Sequence, residues 1–147
     1  MKIKEITKIV NKVYPLIIAD ILTSTPGTYP EIEFHKNIYE RLSGEKGMTG
    51  EVCAHAEYDW NEDKIYIYTS RMFSEEDIIR SLLHECVHST QSKVKFDAYY
   101  LCGETYDTHP YEIEARNAEE KWKRYINLRE FDEWMDDLVE RNGVTEY

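Results

Sequence analysis

The chain predicts an α+β domain on three observations. Apolar residues recur every three or four positions over residues 3–22, a β-rich hairpin pattern lies between Glu51 and Thr69, and helical periodicity returns from Ser74 to Asn142. A length of 147 residues suits a single domain, 1–147, with a core of its own, and 41% hydrophobic residues is an ordinary share for a globular chain. A formal charge of -11 with no Lys/Arg cluster speaks against nucleic acid and an anionic membrane as partners, since both demand a concentrated positive face. Cys53, Cys86 and Cys102 are odd in number and scattered, as expected of free thiols in a reducing cytoplasm. No stretch reaches the roughly 20 apolar residues of a membrane span, and Lys2, Lys4, Glu5, Lys8 and Lys12 interrupt any signal-peptide core.

Taken in order, Ile3, Ile6, Ile9, Val10, Val13, Ile17, Ile21 and Leu22 define an amphipathic helix, with Pro15 as the place for a bend. After Pro26-Gly27, the alternation of Ile32, Phe34 and Ile38 predicts a short strand, and Gly44, Gly47 and Gly50 mark a loop. Val52, Ala54 and Ala56 alternate with polar residues, Asp59 to Asp63 supply turn chemistry, and Lys64-Ile65-Tyr66-Ile67-Tyr68-Thr69 returns as a strand with tyrosines on one face and isoleucines on the other. Phe96 to Tyr106 is aromatic and matches no single pattern. His109-Pro110 announces a further helix with Tyr111, Ala115, Ala118, Trp122, Tyr125 and Ile126 on its apolar face. Continued to Asn142 it would be roughly 48 Å long, longer than the domain, so a bend is expected near Asn127. Leu128, Phe131, Trp134, Met135, Leu138 and Val139 then either close the core or cover a cleft.

The chemistry concentrates in His84-Glu85-Cys86-Val87-His88. Ser74 and Asp77 open a capped helix there, and residues four apart stack on it, so His84 and His88 can face one cation while Glu85 reaches a water beside it. Chance would produce this H-E-x-x-H pattern about 0.02 times in such a chain, so it carries weight only with support from elsewhere. Ile78, Ile79, Leu82, Leu83, Cys86 and Val87 fill a different arc, which turns the histidines away from the core.

A third ligand is sought on the helix after Pro110. On a helical wheel Glu114 lies about 60° from the centre of the apolar face and Glu112 about 100° away on the other side. An inward carboxylate needs a partner, either a cation site or a buried Arg or Lys. Glu114 is therefore the expected inward carboxylate.

From about Glu51 to Ile126 the chain resembles the small gluzincin-type zinc metallopeptidases, and in particular the compact zincin-like proteins of phage and bacterial genomes. The residues that carry the resemblance are the hairpin ending Ile65-Tyr66-Ile67-Tyr68, the H-E-x-x-H helix, and His109-Pro110-Tyr111-Glu112-Ile113-Glu114-Ala115-Arg116. The resemblance implies a zincin-like fold: a small twisted sheet with an N-terminal helix, an active-site helix and C-terminal glutamate helices. It implies Zn2+ held by His84, His88 and Glu114, and an edge strand at Ala54, His55 and Ala56 that binds an extended peptide. The family often places an acidic residue four positions after the ligand glutamate, where this chain has Ala118, so the group orienting the histidines must lie elsewhere. His109, Tyr106 and Tyr99 are candidates to stabilise the oxyanion, with His109 preferred.

The expected function is zinc-dependent peptide-bond hydrolysis, a metalloendopeptidase acting on a peptide or protein, with Glu85 as the base. The rival is a silent or latent zincin-fold binding or regulatory module whose cleft is covered by the C-terminal segment. Cys102 is expected to be a buried thiol.

Overall fold

A computed structural model describes residues 1–22, 29–44 and 54–142. In chain order it comprises α1 (Ile3–Ile21), β1 (Glu31–His35), α2 (Ile38–Ser43), β2 (Ala56–Asp59), β3 (Lys64–Tyr68), a 3-10 turn (Thr69–Arg71), α3 (Glu75–Ser89), α4 (Lys93–Leu101), α5 (Pro110–Glu119) and α6 (Trp122–Arg141). This is an α+β architecture with a small mixed sheet. Strand order is β1-β3-β2, with β1 parallel and β2 antiparallel to the central β3. No helix among the described residues is long and apolar enough to cross a membrane.

The core follows the periodicities of its elements. α1 buries Ile6, Val10, Val13 and Ile17, and α3 buries Ile78, Ile79, Leu82, Leu83 and Cys86; Ile65 and Ile67 of β3 complete the cluster with Met72 and Tyr125. α1 continues as one helix through Pro15, which lies on its exposed side. Asn37 accepts a hydrogen bond from the Glu40 amide and starts α2, so Ile38 belongs to a helix and not to the strand alternation expected for it. Gly44 ends α2 at φ 71°, the left-handed conformation glycine adopts without a Cβ penalty.

In the hairpin, Asp59 Oδ1 accepts from the amides of Asn61 and Glu62, which closes the turn between β2 and β3. Val52, expected in the first arm, lies outside the described residues. The tyrosine face of β3 is buried too, because Arg41 of α2 lies over it. Its guanidinium sits 3.8 Å from the Tyr66 ring centroid and donates to Glu57 at 2.6 Å and to the Tyr68 hydroxyl at 2.7 Å. Arg41 therefore ties the edge strand β2 to the centre of the sheet.

The C-terminal half settles one open stretch and changes one expectation. The aromatic stretch after Lys93 is helix α4, capped by Ser92, whose hydroxyl accepts from the Lys95 amide. The break in the long final helix falls at Glu120 and Lys121, well before Asn127. No glycine or proline marks it; α5 lies along α3, whereas α6 packs on both α1 and α3. Only the first turns of α6 reach the core, through Tyr125, Trp122, Ile126 and Leu128. Phe131, Trp134, Met135 and Leu138 remain exposed, so this segment does not close the core.

Arg41→Ala is expected to lower stability by about 2 kcal/mol, since it strands Glu57 beside two tyrosines. Lys93→Ala, which removes an exposed pair with Asp97 and contacts with the Trp60 and Phe96 rings, should cost about 1 kcal/mol or less in the same urea titrations.

Candidate metal centre

The site is built on the second half of α3. Ser74 caps the helix by accepting from the Asp77 amide, and the apolar arc fixes its rotation against α1 and the sheet. The opposite arc, with Ser81, His84, Glu85 and His88, faces a cleft of about 910 Å³ bordered by β2, α4 and α5. His84, Glu85 and His88 can bring ligand atoms within 4.8 Å of one another.

The histidines are oriented from behind. His84 Nδ1 lies 2.8 Å from a carboxylate oxygen of Glu119, and His88 Nδ1 lies 2.7 Å from Gln91 Oε1. Gln91 donates its amide nitrogen to the Tyr111 carbonyl at 3.0 Å, which leaves its oxygen to accept. Both Nδ1 atoms therefore carry hydrogen, and both Nε2 atoms turn into the cleft. Glu119, one position beyond Ala118, is the orienting carboxylate that sequence reading left unplaced.

The third inward group is Glu112. Its Oε1 stands 2.6 Å from His88 Nε2 and 3.8 Å from His84 Nε2, and its side chain is buried. The expectation of Glu114 is corrected by this geometry. Glu114 is exposed and borders a separate groove with Asp20, Lys121 and Arg124. Angular distance from an apolar face does not say which flank meets α3, and a face made largely of Ala115 and Ala118 anchors the rotation weakly. Docking of α5 on α3 makes that choice. The missed signal was the stripe Glu112, Ala115, Arg116 and Glu119, whose spacing of three, four and seven lines one face of a helix.

His109 also departs from expectation. It is fully buried as the N-cap of α5, with Nδ1 accepting from the Tyr111 and Glu112 amides at 3.0 and 3.4 Å and Nε2 donating to the Phe96 carbonyl at 2.9 Å. Phe96, Tyr99 and Tyr100 surround its ring. Both ring nitrogens are engaged, so none is free for an oxyanion; the residue instead fixes the turn that carries Glu112. Of the other candidates, Tyr106 borders the cleft, beneath the Arg116 guanidinium at 4.5 Å from its ring centroid, whereas Tyr99 does not line it. Cys102 is exposed at the end of α4, not the buried thiol expected.

Glu85 is enclosed by protein and accepts the Tyr58 amide of β2 at 3.1 Å. Burial pushes its carboxyl up to about 7, with His84 and His88 resisting the rise. Burial opposes charge on His84, but Glu112 and Glu119 overcome it and carry the imidazole up to about 10. Burial likewise favours a neutral Glu112, yet His84 and His88 hold it down at about 2.

Ala54, His55 and Ala56 all border the cleft. The Tyr68 amide bonds the His55 carbonyl at 3.0 Å, and the register pairs Ala56 with Ile67. By antiparallel alternation, His55 and Glu57 point their backbones at β3, while Ala56 and Tyr58 turn theirs to the free edge. Trp60 and Phe96, 4.8 Å apart between ring centroids, form an aromatic wall beside His88.

Comparison of the chain with protein-family models, curated proteins and solved structures finds no match.

The donor set fits a divalent cation such as zinc. With each Nδ1 held from behind, both Nε2 atoms face a carboxylate that only accepts, an arrangement that requires a proton or a cation among them. Two imidazoles and one carboxylate is a frequent zinc set that leaves a position open. Glu112→Gln is expected to purify with little zinc and Glu114→Gln with the wild-type content, as measured by metal analysis. Equal zinc in both variants would show that Glu112 is no ligand. His109→Ala should lose about 2 kcal/mol of stability through the vanished cap; an undiminished melting temperature would reopen a role for it in the cleft.

Proposed function

We propose that the protein is a zinc-dependent peptidase of zincin-like architecture, with His84, His88 and Glu112 as the metal ligands and Glu85 as the general base. The observation that carries this is the convergence of both Nε2 atoms and the Glu112 carboxylate in front of a buried Glu85, on the floor of a cleft with a free strand edge. Zinc, when bound, supplies Lewis acidity that polarises a carbonyl and acidifies water.

The chain's own groups supply the rest. Ala56 offers its backbone N–H and C=O to an extended peptide laid antiparallel along β2, which aligns the peptide with the cleft floor. Glu85, lifted towards neutrality by burial, is matched to accepting a proton from water and delivering it to the leaving amine. The Tyr58 amide holds that carboxylate at the base of the strand edge. Tyr106 takes over the role of oxyanion donor proposed from the sequence for His109, as the candidate that borders the cleft. Trp60 and Phe96 offer apolar surface to a substrate side chain.

The rival, a latent binding module capped by the C-terminal segment, finds less support. Among the described residues, none of α6 lines the cleft. A base enclosed beside an open ligand position also has no purpose at a structural metal. A reducing cytoplasm remains the proposed compartment, on the free thiols.

Glu85→Gln keeps an acceptor for the Tyr58 amide but removes the base. It should retain zinc and melting temperature while peptide hydrolysis falls by about two to four orders of magnitude. Wild-type rates in that variant, on any peptide the parent cleaves, would refute the mechanism.

A further inference from the structure

The first turns of α6 are anchored and the remainder is not. Tyr125 is buried, and Arg129 clasps Glu75 at the start of α3 with bonds of 2.8 and 3.0 Å. Beyond that clasp Phe131, Trp134, Met135 and Leu138 follow the i, i+3, i+4, i+7 rule of a single helical face. Phe131 is 56% and Trp134 57% exposed, with their ring centroids 5.9 Å apart. Four large apolar side chains thus lie in line over about 10 Å of helix, each more than a third exposed and none of them part of the buried core or packed against it.

The borders of this stripe identify what it can receive. On a helical wheel Glu130 and Asp137 flank one side and Asp132 the other, all exposed, with Arg141 a lone cation at the far end beyond Asp137. A second copy would bring the same acids against these, at a cost in like-charge repulsion that four apolar side chains per chain poorly offset. Anionic lipid is disfavoured for the same reason. An apolar face framed by carboxylates is complementary to an apolar face framed by Lys and Arg. The anchored base adds preorganisation, because the helix need not fold upon docking.

We propose that the C-terminal half of α6 is a docking helix for a partner protein, and that it receives a basic amphipathic helix whose apolar side packs on Phe131, Trp134, Met135 and Leu138. The surface is separate from the cleft, and its role does not depend on the proposed peptidase activity.

The test uses the full chain and a fluorescein-labelled helical peptide of leucine and lysine at heptad spacing, with the same peptide bearing glutamate for lysine as its counterpart. Anisotropy should report binding of the lysine peptide, weakened by salt, and none of the glutamate peptide. Phe131→Ser with Trp134→Ser, made at exposed positions and checked for an unchanged melting temperature, should weaken binding at least about tenfold. Failure of the lysine peptide to bind overturns the proposal. So does binding that survives the double substitution, which would be general attraction to an acidic surface. Concentration-dependent self-association of the parent chain, abolished by the same substitutions, would assign the stripe to a second copy and equally overturn it.

Discussion

Everything around the cleft depends on two hydrogen bonds made behind the histidines. Glu119 and Gln91 hold the Nδ1 atoms of His84 and His88, and in doing so commit both Nε2 lone pairs to one small volume. An imidazole without such a partner can rotate or change tautomer, and a pair of free histidines on a helix has no preferred common target. Glu119 comes from α5 and Gln91 from just beyond α3, with its other end on the Tyr111 carbonyl. The site is thus a property of the α3 and α5 pair and not of the H-E-x-x-H segment alone.

The same pairing explains why His109 matters without entering the chemistry. It starts α5 by capping two amides, one of them that of Glu112, and anchors the turn to α4 through the Phe96 carbonyl. A histidine serving a helix cap from a fully buried position performs the task usually given to Ser, Thr, Asp or Asn, at the cost of needing an aromatic enclosure. Phe96, Tyr99 and Tyr100 provide it, which gives the aromatic run in α4 its purpose. Phe96 also faces Trp60 across from His88, so one residue belongs both to the support of α5 and to the wall of the cleft.

Electrostatics separate the roles of the two buried carboxylates. Glu112 faces both imidazoles, which hold it ionised, while Glu85 lies enclosed with one amide for company and is pushed towards neutrality by burial, the two states that the proposed ligand and base would need. The difference comes from position: Glu112 approaches the histidines from another helix, whereas Glu85 shares theirs and points to the sheet edge. Arg41 contributes at a distance. It holds Glu57, and with it the strand whose Tyr58 amide fixes Glu85.

Local signals were enough for much of this. The capped α3 helix, the β3 strand, the start of α5 at Pro110 and the two histidines of α3 all follow from periodicity, capping residues and spacing, because those are interactions between residues close in sequence. Tertiary structure alone decided the rest. Glu112 and not Glu114 meets the histidines, since the rotation of a short helix with a small alanine face is set by what it docks against. His109 is a cap because α4 folds over it. The aromatic run from Phe96 lies on a helix capped by Ser92, and it is the fold that sets its rings around the His109 imidazole; the long final helix divides at Glu120, its halves packing on different neighbours. The apolar period of α6 reads the same in sequence whether a helix is buried or projecting, and only the placement of the other elements shows that half of it stands outside the buried core.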